Sequence, residues 1–555
     1  MRKKLFLIIL TVLLSYGKAD SCTNLLITPG ASADGSAMVS YSADSHTRYG
    51  TLVHYPAATY PKGTMVKIYE WGKDRYLGEI PQVEKTYSVI GNMNEHQLII
   101  GESTWGGVES QFDPAGILDY GSLIYLALQR AKTAKEAIEV ITSLADKYGY
   151  ASTGESISIA DTKEVWILEM IGRAPKMENG VNVNKGLVWV AVRLPDGTIS
   201  AHANQARITK FPLNDPENCL YSKDVISHAR EQGLFKGTDK DFSFADAYGP
   251  ADASTIRGCD ARVWSFFNKW AEGDMQKYLP YALGDPTKER MPLYVQPKGK
   301  LSVKDVADMM RDHYNGTIMD MTKDIGAGGN SLPYRWRPMT FEVDGKTCIN
   351  ERAIATQQTG FWFVGQSRGH MPAEIGGIFW FGVDDAATSP LTPIYTSSKS
   401  ISKHYALGNG SMIEYSPTSM FWLTNRIAQF SYLRYNHIGA EVRSIIDHHE
   451  KAKMAETEAI DNAAVAMAKD NPQFLSDFLT NYSVSTANAL FEKWKQLDEY
   501  LLVKYIDGNT KKQNPDGSFM NNGHSPVIPP TPNFPGYTEI WKRAVKENAG
   551  ERLSH

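Results

Sequence analysis

Over the first four hundred positions apolar and polar residues often alternate with a period of two, which predicts strands more than helices. After Cys22, TNLLIT and AMVSYS flank Ala33-Asp34-Gly35-Ser36, an opening hairpin whose Asp-Gly turn needs no chemistry. Further strands are expected at TMVKIYEW, YSVIGNM and QLIIGES. The period then changes. In SLIYLALQRA, Ile124, Leu128 and Ala131 fall three to four apart. Thr133 and Glu136 have capping-box spacing ahead of Ile138, Ile141 and Leu144, and Gly149 ends this second helix. Two more hairpins are expected, SISIAD/VWILEMIG turning at Asp161-Thr162-Lys163 and GLVWVAVRL/TISAHA turning at Pro195-Asp196-Gly197.

From about 209 to 300 no period dominates, and the segment reads as loose. A helix follows Ser302 (SVKDVADMMRDHY), then late strands in ATQQTGFWFVGQ and GGIFWFGVDD. Beyond residue 400 the pattern is helical, through IAQFSYLRYNHIG, PQFLSDFLTNY and TANALFEKWKQLDEYLLVKYI. The tail from 511 carries SPVIPPTPNFPGY and reads as extended over the surface. Strands, two helices, more strands and late helices together give an α+β chain with layered sheets and no internal repeat.

The N-terminus changes this picture. MRKKLFLIILTVLLSYGKADS has a basic start at Arg2, Lys3 and Lys4 and an apolar run from Leu5 to Leu14. Small residues stand at Ala19 and Ser21, the −3 and −1 positions of a cut before Cys22. That run is shorter than the roughly 20 residues a bilayer requires, and no later stretch would cross one. Residues 1–21 therefore read as a secretory signal, and the mature chain as a soluble exported protein, periplasmic or secreted. The chain exceeds the size, roughly 250–300 residues, at which single cores stop growing. A large unit over 22–400, a helical region over 401–510 and a Pro-containing tail over 511–555 are expected. The formal net charge is −4, and losing the basic leader makes the mature chain more acidic. Nucleic acid and anionic lipid are not expected partners. An oligomer is compatible with the sequence.

Only four cysteines occur, Cys22, Cys219, Cys259 and Cys348, too few for a disulfide scaffold in so long a chain. A cut before Cys22 would give that residue a thiol and a free α-amine together. Their ordinary pKa values, near 8.5 and 7.7–8.0, make proton transfer between them nearly balanced, so one residue can contain a nucleophile and its base. Such a site also needs a carboxylate for the ammonium, donors for an oxyanion and a cation. Asp44 lies across the opening hairpin, Asn204 sits in AHANQARI and Arg262 in RGCDARVW, but spacing alone does not single them out.

Cys22-Thr-Asn followed by ADGS, SYSADS, NEHQLIIGESTWGG, AHANQARI, CDARVW and GGIFWFGVDDA resembles the dipeptidase family of cysteine N-terminal nucleophile (Ntn) hydrolases. That family is related to secernins and, more distantly, to penicillin V acylase and bile salt hydrolase. The likeness runs from Cys22 to about residue 400. It implies a four-layer αββα sandwich and hydrolysis of dipeptides without metal or organic cofactor. It also implies Cys22 as nucleophile, Asp44 as the aspartate of the family's short A-R-N-x-D-like stretch, Asn204 as oxyanion donor and Arg262 as the late arginine near the thiol. Glu102 and Thr104 fall in the ESTW segment, with Glu102 the candidate holder of a substrate α-ammonium. The acylases carry an arginine three residues before the aspartate; here that position is Tyr41, which would line the site or pack between sheets.

Two other readings stand beside this one. The same scaffold could cut N-acyl amides, as in bile salt hydrolases. Alternatively, Cys22 could be the lipidated first residue of a non-catalytic anchored binding protein, although Asp20 at −2 is unusual for a lipobox. Several further features read as structural. Asp447-His448-His449-Glu450 reads as a solvated helix face, because adjacent histidines diverge by about 100°. Asp324 to Asn330 reads as a flexible glycine-rich loop near the site, without the ending of a phosphate loop. His202 reads as a core or supporting histidine.

Overall fold

The structure is a computed structural model and describes residues 20–554; the basic and apolar parts of the expected signal lie outside the described residues. Two antiparallel sheets face each other. Their principal strands, in chain order, are β1 (Asp20–Ile27), β2 (Ala37–Ser45), β3 (Ile99–Trp105), β4 (Gly154–Ala160), β5 (Val165–Gly172), β6 (Leu187–Arg193), β7 (Ile199–His202), β8 (Thr359–Ser367), β9 (Gly377–Val383) and β10 (Thr392–Tyr395). The first sheet runs β7-β1-β2-β8-β9-β10, with the short strand Tyr294–Val295 beyond β7. The second runs β6-β5-β4-β3, edged by Cys219–Tyr221 on one side and three two-residue strands on the other.

The period of two decides what each face meets. On β1, Cys22 and Leu26 point between the sheets with Val39 and Tyr41 of β2, Ile99 of β3 and Phe363 of β8. Leu25 and Ile27 point outward against α3 (Ala253–Trp270) and α4 (Val303–Met310). On the far side, α1 (Tyr120–Arg130) and α2 (Ala134–Tyr148) bury Leu128, Ile138 and Ile141 against Ile157 and Ile159 of β4 and Leu168 of β5. The layers therefore run helix, sheet, sheet, helix. The Thr133–Glu136 capping box forms as expected, and Gly149 takes φ 83° at the end of α2. The late helices α5 (Met420–Leu433), α6 (Ala440–Asp470) and α7 (Leu475–Tyr505) complete the fold, with Leu490 and Trp494 of α7 joining the core between the sheets.

Four expectations are corrected. GLVWVAVRL and TISAHA do not pair with each other: β6 bonds to β5 in one sheet and β7 to β1 in the other. The Pro195-Asp196-Gly197 turn instead carries the chain between layers, pinned where Thr28 Oγ1 accepts from the backbone of Gly197 and Thr198. The segment read as loose holds α3, eighteen residues capped by Asp252. The glycine-rich Ile325–Asn330 is a 3-10 segment packed under Tyr537 and bonded to Thr538, ahead of a tail helix α8 (Glu539–Ala549). His449 and Glu450 are buried, with Glu450 paired to Arg311, so the Asp447–Glu450 run is no solvated face.

One buried acid makes a test of the packing. Asp384 follows β9 at φ 67°, accepts from Asn425 and is fully buried. Burial pushes its carboxyl up to about 8; Asn425 opposes this and the charge of Asp385 reinforces it. Above the ordinary carboxyl pKa of about 3.9 the unfolded chain has released this proton while the folded chain keeps it, so stability falls as pH rises from about 4 to 8. Asp384→Asn, which tolerates positive φ, removes that dependence. The variant should gain on the natural chain between pH 5 and 8 by about 1.4 kcal/mol per pH unit. Denaturant midpoints at the two pH values check this, and an unchanging gap rejects it.

Candidate active site

Cys22 lies on β1 with its side chain only 3% exposed, between the two sheets. Its sulfur meets Tyr41 Oη at 3.7 Å and Glu102 Oε1 at 3.5 Å, and Tyr41 donates to the same Glu102 oxygen at 2.5 Å. Glu102 comes this close because its neighbour on β3 is Gly101. A Cβ there would stand 2.4 Å from Asn24 Oδ1 and 3.3 Å from Tyr41 Cβ. Without that atom the sheets close, and Asn24 donates to the Glu102 carbonyl.

Behind Glu102 is a second buried carboxyl, Glu155 of β4. It hydrogen-bonds to Glu102 and accepts from Thr104 Oγ1 at 2.8 Å. Burial, then the charge of Glu102, raises the Glu155 carboxyl well above the ordinary range. Two carboxyls in hydrogen-bond contact out of water hold a proton between them, so the pair carries a single negative charge. Burial and the neighbouring Cys22 and Glu102 likewise hold the Tyr41 hydroxyl in its protonated form.

The backbone side of Cys22 is cationic. Arg262, fully buried on α3, donates to the Cys22 carbonyl at 2.7 Å, to Thr23 Oγ1 at 2.8 Å and to Asn204 Oδ1 at 3.0 Å. Asn204 follows β7 at φ 56°; its Oδ1 accepts from Cys22 N at 2.8 Å and its Nδ2 donates to the Thr104 carbonyl at 2.7 Å. In the described chain Cys22 N is the peptide nitrogen after Ser21, standing where a cut would leave an amine. Arg352 donates to the Ser21 carbonyl at 3.1 Å and to Asp44 Oδ2 at 2.5 Å.

The structure thus gathers Cys22, Tyr41, Glu102, Thr104, Asn204 and Arg262 about one point. Asp44 stands one step removed. On β2 it faces outward with Ser42 while Tyr41 and Ala43 face inward, and its carboxylate pairs with Arg352 and Thr359 rather than with Cys22 N. Arg262 reaches the carbonyl of Cys22, not its sulfur.

A family model described as Peptidase family C69 matches residues 46–448, well over half of the chain. The chain belongs to peptidase family C69. The match starts beyond Cys22, Tyr41 and Asp44 and takes in Glu102, Glu155, Asn204, Arg262 and Arg352. Among curated relatives, a probable dipeptidase of Salmonella dublin is 24% identical over 73% of this chain and 87% of its own. A probable dipeptidase of Latilactobacillus sakei is 24% identical over 85% of this chain and 94% of its own. Probable dipeptidase B of Streptococcus pyogenes serotype M1 is 21% identical over 92% of this chain and 99% of its own.

In this cysteine-type peptidase two residues at the site escaped sequence reasoning. Glu155 is the second residue of β4 and directly precedes the expected strand SISIAD, and a charge inside a fully buried strand was its only signal. Arg352 lies in an irregular stretch that nothing local marks. His202 is a core residue tying the sheets together, between Ser103 Oγ and Ser158 Oγ, each at 2.6 Å. Burial pushes its imidazole down to about 3. Among the described residues no cluster of three His, Cys, Asp or Glu could hold a metal, and no helix is long and apolar enough to cross a membrane.

Proposed function

We propose that this C69 peptidase is an exported dipeptidase whose mature chain starts at Cys22. The observation that carries the reading is the carboxyl of Glu102, buried and 3.5 Å from the Cys22 sulfur. A dipeptide must present an α-ammonium two bonds from the carbon under attack, and an anionic carboxyl pair beside the sulfur is a complementary receptor. N-acyl substrates have no such cation and would leave the pair uncompensated.

In the proposed cycle the Cys22 thiol passes its proton to its own α-amine, and the thiolate adds to the peptide carbonyl. Asn204 Oδ1 holds the amine, while the remaining Nδ2 hydrogen and backbone N–H groups meet the oxyanion. The ammonium then protonates the departing amino acid, leaving a thioester. The amine next takes a proton from water, whose attack frees the first amino acid. After the cut Arg262 still grips the Cys22 carbonyl, and Arg352, released from the Ser21 carbonyl, stays anchored through Asp44; their charge disfavours a second positive charge there and favours the unprotonated amine and the thiolate. They supply the cationic field that an arginine at Tyr41 would otherwise bring. Burial of Cys22 between the sheets also leaves no route from its sulfur to a bilayer, which argues against the lipid anchor.

Parallel assays of a free dipeptide and its N-acetyl form test the substrate class, with intact mass fixing the first residue. The free form should be strongly preferred. Glu102→Gln should raise KM for the free dipeptide by about a hundredfold, the scale of a lost charge-assisted hydrogen bond, and change the N-acetyl form little. Equal effects on both remove Glu102 from this role, and preference for the N-acetyl form favours an acylase.

A further inference from the structure

A small cavity opens beside the site. It is about 40 Å³, lined among others by Arg48, Trp71, Asn92, Tyr125, Phe361 and Phe381. A single water needs roughly 10–15 Å³ by the same measure, so the space suits a three-atom group such as a carboxylate, not a whole dipeptide. Its place is fixed by the first sheet. Phe361 pairs across strands with Ala43, Ala43 pairs with Cys22, and the Phe361 ring packs against Tyr41 at 5.7 Å between centroids. Two strand spacings put Phe361 about 10 Å from Cys22.

Two polar groups give the cavity its chemistry. The Arg48 guanidinium, whose planar fork suits a carboxylate, lies 4.5 Å over the Trp71 ring. Asn92 is 4% exposed; its Nδ2 donates to the Ile100 carbonyl at 2.8 Å, and its Oδ1, fully buried, has no hydrogen-bond partner among the described residues. Turning the amide over would set oxygen against the Ile100 carbonyl, so this acceptor is the fixed one. An orphaned buried acceptor is costly unless a ligand satisfies it. The cavity is thus lined by one cation and one orphaned acceptor.

We propose that this cavity receives the free carboxylate of a dipeptide's second residue, Arg48 binding that carboxylate and Asn92 Oδ1 accepting from the N–H of the same residue. The proposal rests on the dipeptidase reading above and extends it from the amino to the carboxyl end of the substrate. The distances agree. A scissile carbonyl about 3 Å from the sulfur and one residue length of about 3.5 Å place the carboxylate some 6–7 Å away. A hydrogen bond further is the strand position of Phe361, which lines the cavity together with Arg48. Glu102 and Arg48 then read the two charged ends together, a ruler that admits two residues and excludes longer peptides and C-terminally blocked ones.

The test compares Ala-Phe with Ala-Phe amide, using the processed chain with its natural sequence, Arg48→Gln and Arg48→Lys. The natural chain should favour the free acid by about a hundredfold in kcat/KM. Arg48→Gln should lower kcat/KM for the acid by a similar factor, mainly through KM, and leave the amide within about threefold. Arg48→Lys, which keeps the charge and much of the packing over Trp71, should restore part of the preference. Equal rates on acid and amide by the natural chain overturn the subsite while leaving the dipeptidase reading intact. So does an equal loss on both substrates in the two variants, which would mark Arg48 as structural. Failure of the natural chain to cleave either substrate in a Cys22-dependent manner overturns the dipeptidase reading and the subsite with it.

Discussion

Cys22→Ser should lower kcat/KM on dipeptides by at least about ten-thousandfold, the scale on which loss of a nucleophile acts, with the fold intact by circular dichroism. The hydroxyl is nearly isosteric, so it still fills the space between Tyr41 and Glu102. What it lacks is acidity: an α-amine with a pKa near 8 can share a proton with a thiol of pKa near 8.5, but not with an alcohol. A second variant separates the amine from the sulfur. Ala19→Arg spoils the small −3 residue of the cut site, leaving Cys22 N in a peptide bond to Ser21 with its hydrogen directed at Asn204 Oδ1. That chain retains its thiol and should be as inactive as Cys22→Ser, because an amide nitrogen takes no proton. Addition of a protease that cuts before Cys22 should restore it. Full activity from a chain beginning anywhere but Cys22 would defeat the mechanism, whatever the serine variant does.

What could be read from the sequence followed the range of the interactions involved. The β1–β2 and β4–β5 hairpins and the α1–α2 pair are specified by neighbours in the chain, through alternation, turns and caps, and they form where expected. The β6–β7 turn looked the same locally, yet a Pro-Asp-Gly turn signals only that the chain reverses; which sheet receives β7 is decided by its pairing with β1. Helix α3 was hidden by the site it serves. Asp260 and Arg262 occupy its buried face, each 1% exposed, and break the apolar stripe that marks an amphipathic helix. Only Asp252, capping Thr255 N, announced it. The same logic divides the site. Cys22 stands out because the residues before it read as a cleavage signal. Glu155 and Arg352 acquire meaning only from Glu102 and Asp44, 53 and 308 positions away in the chain, and no local period encodes that. Asp447–Glu450 misled in the opposite direction: a run of four polar residues on a helix faces water unless another element brings a countercharge, and here Arg311 does.

Arg311→Met destabilises the protein by about 3–5 kcal/mol, the range for stripping one partner from a buried ion pair. The guanidinium, 1% exposed, meets Glu450 of α6 through two bonds, at 2.5 and 3.0 Å, and also donates to the carbonyls of Ala386 and Ser389 in the loop after β9. Glu450 returns a bond to that loop by accepting from Leu391 N at 2.9 Å. One pair thereby fastens the helical C-terminal region to the sheet that carries Cys22. With methionine at 311, the Glu450 carboxylate keeps only Leu391 N and Lys304, the latter 4.0 Å away, and must be protonated or drag water inward. Replacing both partners removes the stranded charge, so Arg311→Met with Glu450→Leu should recover most of the loss. Urea midpoints of the single and double variants measure this. A single variant within about 1 kcal/mol of the natural chain would mean that the pair contributes little and that apolar packing of α6 and α7 alone holds the two parts together. Because the pair sits on the outer face, away from the sulfur, both folded variants should retain the natural preference for free over N-acetylated dipeptides, which separates a loss of stability from a loss of chemistry.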